Sequence, residues 1–390
     1  MYDVVIIGAG ASGVMAACLI KEKNPLYKVL LLEKNDKIGK KILITGNGRC
    51  NLGNTNIDVE NYNVDINKFG DLNDLFDEYL AFLQKIGIVI KEDTGRLYPY
   101  NNQAISVCKS FERYLNKLDV EIKYNYNVNE VIKYDDKYII NNEIKAHKVV
   151  ISTGGLSYPK TGSTGMGYEI LKQFNHSINS TYPALTYLNT DYKLIKELDG
   201  VRFNGIVSLY VNNELVDSEY GQIQFTKNAL SGICIFNVSS NVKKYLEEKK
   251  EVIISVDLVK EYNISEYLYR FMDYKLEEAL SGILNNKLAY VISKELKLHG
   301  YIIKELNHKQ IKSVDNLVHH FNFNIVDVGD YNVSQVTKGG AKLEEFTNNL
   351  ESIHSKGLYA SGEVLDVDGK CGGYNLAWAF ISAILISKEI

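Results

Sequence analysis

The first 33 residues constrain this chain more than any other stretch. Asp3-Val4-Val5-Ile6-Ile7 is a short apolar run, Gly8-Ala9-Gly10-Ala11-Ser12-Gly13 follows at once, and residues 14–22 read as a helix. Lys28-Val29-Leu30-Leu31-Leu32 is a second apolar run, closed by Glu33. The order is strand, glycine turn, helix, strand, acid, which is how a dinucleotide-binding βαβ unit begins. Gly8 makes the tight turn, Gly10 lets the backbone approach a pyrophosphate, and Gly13 lets helix and strand pack closely. The helix start offers free N–H groups and the positive end of its dipole to phosphates. Glu33 stands 20 residues after Gly13, where a carboxylate accepts from ribose hydroxyls. That acid favours a free 2′-hydroxyl, hence FAD or NAD over NADP.

The next segment keeps the same style. Lys34 to Lys41 and Thr45-Gly46-Asn47-Gly48-Arg49-Cys50-Asn51 mix glycines, amides and cations, which suits a loop along a pyrophosphate and a flavin ring. Cys50 has no partner cysteine or nearby histidine to activate it and reads as packing. Residues 72–86 and 104–118 read as amphipathic helices, with a strand pair around Asp93-Thr94-Gly95 between them. Residues 128–132 and 138–140 suggest a small antiparallel meander. Residues 147–152 form a buried-type strand ending in Thr153-Gly154-Gly155, where a loop meets a cofactor at the strand ends.

From about Thr186 the texture changes to strands at 207–211 and 252–256, then to a Lys/Glu/Leu-rich helical pattern over 258–321. The glycine-rich style returns in Thr337-Lys338-Gly339-Gly340 and in residues 357–369, and Gly372-Gly373-Tyr374-Asn375 opens a last helix. A helix start there could stabilise negative charge on a reduced flavin.

Composition removes other classes. A net charge of −4 gives no sign of a nucleic-acid or membrane surface. Five cysteines without a C-x-x-C exclude a disulfide framework and fit a reducing cytoplasm. The N-terminus runs straight into the glycine turn, unlike a signal peptide, and the apolar run 376–386 is too short to span a bilayer. His299, His308 and the pair His319-His320 lack metal-ligand spacing on one face, so no metal site is expected.

Taken together, these stretches resemble the BaiN-like or YhiN-like flavoproteins, also called the aminoacetone-oxidase family of FAD-binding enzymes. The matching stretches are Gly8 to Gly13 with Glu33, Gly39-Lys40-Lys41, Gly46 to Asn51, Thr153 to Pro159 with Thr161 to Gly165, Phe225-Thr226 with Leu230-Ser231-Gly232, Thr337 to Gly340, Gly362 to Asp366, and Gly372 to Asn375. The resemblance implies an α/β fold: a Rossmann-like, glutathione-reductase-like FAD-binding domain interrupted by a β-rich and a helical subdomain. The expected boundaries are 1–186 plus 334–390 for the FAD domain, 187–257 for the β-rich piece and 258–333 for the helical piece. The resemblance also implies an FAD site lined by Gly8, Gly10, Ser12, Gly13, Glu33, Lys34, Lys41, Arg49, Cys50, Asn51, Val128, Thr153, Gly154, Gly362, Glu363, Asp366, Gly373, Tyr374 and Asn375. The chain departs from the family pattern at Lys227 and Ala229, where a histidine and a glycine are usual, and substrate identity is open at that loop.

The expected activity is a cytoplasmic FAD-dependent oxidoreductase acting on a small organic molecule, by amine oxidation or by reduction of an enone. No second glycine fingerprint follows the first, so NAD(P)H as a donor would visit transiently. The alternatives are an RNA-modifying flavoprotein, against which the net charge weighs, and a flavin-binding module acting through a partner. Tyr98, Arg96, Tyr158, Lys227 and Tyr374 are the candidates for catalysis, because they stand in or beside the matched loops.

Overall fold

The computed structural model describes residues 1–390, which divide into two units: Met1–Tyr182 with Tyr331–Ile390, and Pro183–Asp330. Each has its own hydrophobic core.

The first unit is built on a seven-stranded sheet. Five of its strands are parallel, in the order Glu121–Lys123, Val29–Leu32, Tyr2–Ile7, Ile144–Ile151, Leu358–Ala360. Val4 to Ile7 and Val29 to Leu32 are buried throughout. Strands covered on both faces read as unbroken apolar runs, which is how these two look in the sequence. The strand Ile144–Ile151 is shared along one edge. Its first half pairs antiparallel with Lys137–Ile140, which pairs with Val131–Tyr134, and its last residues pair with Leu358–Ala360. The chain's end therefore completes the sheet that its beginning started.

Two helices run side by side in the same direction, Ala11–Lys23 and Tyr374–Glu389. At their C-terminal ends the Lys23 ammonium donates to the carbonyls of Ser387 and Lys388 at 3.0 Å each, where a cation offsets the negative dipole end. At the other end Gly362 lies against Ser12. Its N–H donates to Ser382 Oγ at 2.9 Å and its carbonyl accepts from Trp378 Nε1 at 3.3 Å. Ser382, which interrupts the apolar run of the last helix, thus holds the turn that precedes that helix. The helix Leu72–Lys85, capped by Asp71 through Asn73 N and Asp74 N, packs Tyr79 flat on Phe380 with ring centroids 4.9 Å apart.

The second unit contains a closed barrel of Leu188–Thr190, Ala229–Ser231, Glu214–Phe225, Arg202–Val211, Val252–Asp257 and Phe321–Val328. The long hairpin turns at Asn212-Asn213, both with positive φ, as a tight two-residue turn requires. Phe321, Phe323 and Ile325 alternate inward and share one core with Val207, Phe225 and Ile254. The helices Ile264–Leu268, Leu276–Leu280, Asn286–Glu295 and His308–His319 lie in the connection between the fifth and sixth strands in chain order. A division at 257/258 therefore cuts across this core, because the strand that closes the barrel follows the helices in sequence. No helix is long and apolar enough to cross a membrane.

Candidate functional site

The three fingerprint glycines sit in three different surroundings. A Cβ on Gly8, whose φ is +106°, would lie 2.4 Å from the Ser152 carbonyl oxygen, and one on Gly13 would lie 1.9 Å from the Gly8 carbonyl oxygen. Both are closed by backbone. A Cβ on Gly10 would meet nothing within 4 Å. The fold thus needs glycine at the two flanking positions for its own packing and leaves open ground at the middle one. Gly10 precedes a helix with no side-chain cap, so the first-turn N–H groups face that ground unclaimed by a capping side chain. Space for a pyrophosphate is the fit that these residues offer.

Glu33 is buried and already engaged. Oε2 accepts from Ala9 N at 2.9 Å, and Oε1 accepts from Asn35 N at 2.8 Å and Asn35 Nδ2 at 2.6 Å. A carboxylate offers about four lone-pair directions, so one on Oε2 is left unused. Asn35 Nδ2 also donates to the Thr161 carbonyl, and the exposed Lys34 reaches Thr164 Oγ1 at 3.2 Å. The loop 157–165 is fastened beside the acid in this way, with Tyr158 N donating to the Tyr331 carbonyl. Val128 is buried in the core of the same unit.

A second group joins the two ends of the chain. Lys41 Nζ and Glu363 Oε2 are 2.7 Å apart, and Glu363 Oε1 accepts from Thr337 N at 2.8 Å. Thr337 Oγ1 accepts from Leu156 N and Ser157 N, so the segment after Gly154 is held by the same strand. Thr153 Oγ1 is buried without a hydrogen-bond partner. Arg49 lies 4.4 Å over the Tyr98 ring and donates to its hydroxyl at 3.2 Å. Burial pushes the Cys50 thiol up to about 12, so it is a neutral packing group beside the loop. Asn51 Oδ1 is buried without a hydrogen-bond partner and faces Gly373.

The C-terminal motif is held in place by its own polar groups. Asn375 brackets Gly369, accepting from its N–H at 2.9 Å and donating to its carbonyl at 2.7 Å. Asp366 accepts from Asn179 at 2.7 Å and from Asn63 at 3.2 Å. Tyr374 is buried and donates to the Asn56 carbonyl. Tyr98 and Tyr374 are thus committed to the loops they brace. Arg96 is half-buried at the start of the strand Arg96–Pro99, and its charge acts on both Cys371 and Tyr374. Lys227 is exposed in the turn 226–229, which belongs to the other unit; Ala229 in that turn is buried.

Sequence reasoning gave no role to Lys338, Asp368 or Asn63. Lys338 Nζ pairs with the Asp368 carboxylate at 3.2 and 3.3 Å, and Asn63 Oδ1 accepts from Asp368 N at 2.8 Å. Lys338 stood in a matched motif and could have been found there. Asn63 lies in a stretch rich in Asn and Asp, where nothing singles it out.

The family model described as HI0933-like protein Rossmann domain matches residues 2–389. The chain is 31% identical to the 3-dehydro-bile acid delta(4,6)-reductase of Clostridium scindens, covering 100% of this chain and 98% of that protein. It is 26% identical to the ribosomal RNA dihydrouridine synthase of Haemophilus influenzae, covering 99% of this chain and 98% of that one. Among solved structures, the 3-ketosteroid-delta4-(5alpha)-dehydrogenase of Rhodococcus jostii RHA1 superposes with a TM-score of 0.52 at 14% identity, over 99% of this chain and 96% of that chain. At that identity the likeness shows the fold alone.

Proposed function

The chain belongs to the HI0933-like family of FAD-binding, flavin-dependent oxidoreductases, and from that premise we propose that it reduces a carbon–carbon double bond conjugated to a carbonyl in a small organic substrate. The open ground at Gly10, against the closed surroundings of Gly8 and Gly13, carries the cofactor half of this reading. The substrate half rests on what the two relatives' names have in common. A delta(4,6)-reductase of a 3-dehydro steroid and a synthase of dihydrouridine both saturate a double bond conjugated to a carbonyl.

When bound, FAD supplies the two-electron hydride chemistry. The protein's part is to bind, orient and polarise. The fingerprint turn and its helix start would receive the pyrophosphate, and Glu33 would use its remaining lone pair on the ribose. Lys41, with its ammonium fixed by Glu363, would be the cation to meet the cofactor's phosphates. Asn51, whose Oδ1 is unpartnered, and Gly373 beside it would hold the ring end. Arg96, half-buried with its charge acting on Cys371 and Tyr374 of the C-terminal motif, would donate to the substrate carbonyl, drawing charge away from the double bond and favouring hydride addition. NAD(P)H serves as the transient donor.

Anaerobic stopped-flow tests this reading. Holoenzyme reduced with NADPH or NADH is mixed with a 3-oxo-4-ene steroid, with an unmodified ribosomal RNA fragment, and separately the oxidised enzyme is mixed with aminoacetone. Rapid reoxidation by the enone, lost in Arg96→Met at unchanged FAD content, supports the proposal. Bleaching by the amine with no response to the enone overturns it. Reoxidation by RNA alone would assign the same chemistry to a nucleobase, a reading favoured by the two rRNA-named relatives at 26% and 27% identity.

A further inference from the structure

His176, Glu345 and His354 come together from three separate segments of the first unit. His176 follows the helix Met166–Gln173, Glu345 ends the turn Leu343–Glu345, and His354 lies in the turn that leads to the strand Leu358–Ala360. We propose that these three side chains bind one divalent transition-metal ion, of the class of zinc or cobalt, at a site outside the nucleotide fingerprint. Their ligand atoms all lie within 4.8 Å of one another. Glu345 Oε2 is 3.2 Å from His176 Nδ1 and 3.5 Å from His354 Nε2. Metal–ligand bonds of about 2.0–2.1 Å at tetrahedral angles put neighbouring ligand atoms roughly 3.3 Å apart. Both separations fit that edge.

The second observation is His176 itself. Its side chain is fully buried, and Nδ1 has no hydrogen-bond partner. Its nearest polar neighbour is Glu345 Oε2 at 3.2 Å, an ion-pair contact. A buried nitrogen left unpaired is costly, and a metal ion between it and the carboxylate would satisfy both. The ring is also held as a ligand should be. Its Nε2 is 2.7 Å from Ser352 Oγ, and Phe346 stacks on it at 4.4 Å between centroids. These contacts fix the orientation of the ring. The carboxylate is fixed by Ser177 N, which donates to Glu345 Oε2 at 2.8 Å. His354 is one-third exposed, which gives the ion a path in and leaves a fourth position to water.

Two imidazoles and a carboxylate are a donor set for zinc and its neighbours, not for calcium or magnesium. The sequence reading weighed only the histidines at 299, 308, 319 and 320, and ligands on three segments leave no spacing to find.

The test uses the full-length, tag-free, FAD-loaded protein, stripped with a chelator and dialysed. Zinc chloride is titrated calorimetrically and cobalt(II) is followed by its visible spectrum. The expected result is one equivalent of zinc bound, a higher thermal midpoint with zinc, and intense cobalt bands of a tetrahedral site. His354→Ala and Glu345→Gln should each weaken binding by roughly tenfold or more. Failure of the wild type to take up zinc, a six-coordinate cobalt spectrum, or equal binding by wild type and both variants would overturn the proposal. The wild-type spectrum decides it even if a variant fails to fold.

Discussion

Lys41 Nζ stands 2.7 Å from Glu363 Oε2, across 322 residues of sequence. This ion pair ties the loop behind the fingerprint to the turn before the last helix, and both side chains are largely buried. Glu363 also holds Thr337 N, so one carboxylate joins three segments that the sequence analysis had matched separately.

Breaking that junction should loosen the cofactor more than the fold. Lys41→Met is expected to weaken FAD binding roughly 10- to 100-fold, the range of one charge-assisted hydrogen bond at about 1.5–3 kcal/mol. Glu363→Gln should weaken it less, because Lys41 keeps its charge. The double variant should lose less than the sum of the two, since the pair is coupled. Fluorescence titration of the apoproteins with FAD checks all three; strict additivity would show that the pair does not act as a unit.

The Asp368 carboxyl gives a pH prediction. Burial raises its pKa, and Lys338 only partly holds it back. A carboxyl that binds its proton more tightly when folded favours the folded state at low pH. That contribution is lost as pH rises from the unfolded value, about 4, through the raised folded one. Lys338, Asp366 and Glu363 are the charges acting on it, and all remain in Asp368→Asn. The variant should therefore show a smaller fall in thermal midpoint over that window than wild type. A wild-type slope retained in Asp368→Asn would assign the effect elsewhere.

Cys50 should be silent. With its thiol pushed up to about 12 by burial, it stays protonated and resists alkylation at pH 8 in the native state. Peptide mapping after iodoacetamide treatment should find Cys50 unmodified until the protein is unfolded, and Cys50→Ala should keep its FAD. Rapid native alkylation would mean that the loop opens.

The parts of this fold visible in the sequence are those set by local pattern. The runs 3–7 and 28–32 announce buried parallel strands because both their faces are covered. The helices Leu72–Lys85 and Ala104–Lys117 follow their apolar spacing within a residue or so. What stayed hidden depends on distant partners. The alternation Phe321, Phe323, Ile325 follows a long helical stretch, and only its pairing with Val252–Asp257 and Leu188–Thr190 makes it the closing strand of a barrel. In the site, Gly8, Gly10 and Gly13 were legible because each spacing has a mechanical reason. That Asn375 brackets Gly369, or that Tyr374 donates to the Asn56 carbonyl, depends on loops folding back from elsewhere.

The most direct test is Gly10→Val, read as FAD affinity and apoprotein stability together. A side chain at Gly10 meets nothing of the protein within 4 Å and adopts an ordinary backbone conformation at φ −76°. The apoprotein should therefore melt close to the wild-type temperature while FAD binding falls by on the order of a hundredfold or more, because the side chain fills the pyrophosphate's place. Gly13→Val, whose Cβ would strike the Gly8 carbonyl, should instead destabilise the apoprotein itself. A Gly10→Val protein that binds FAD as tightly as wild type would contradict the assignment of the fingerprint turn as the cofactor cradle.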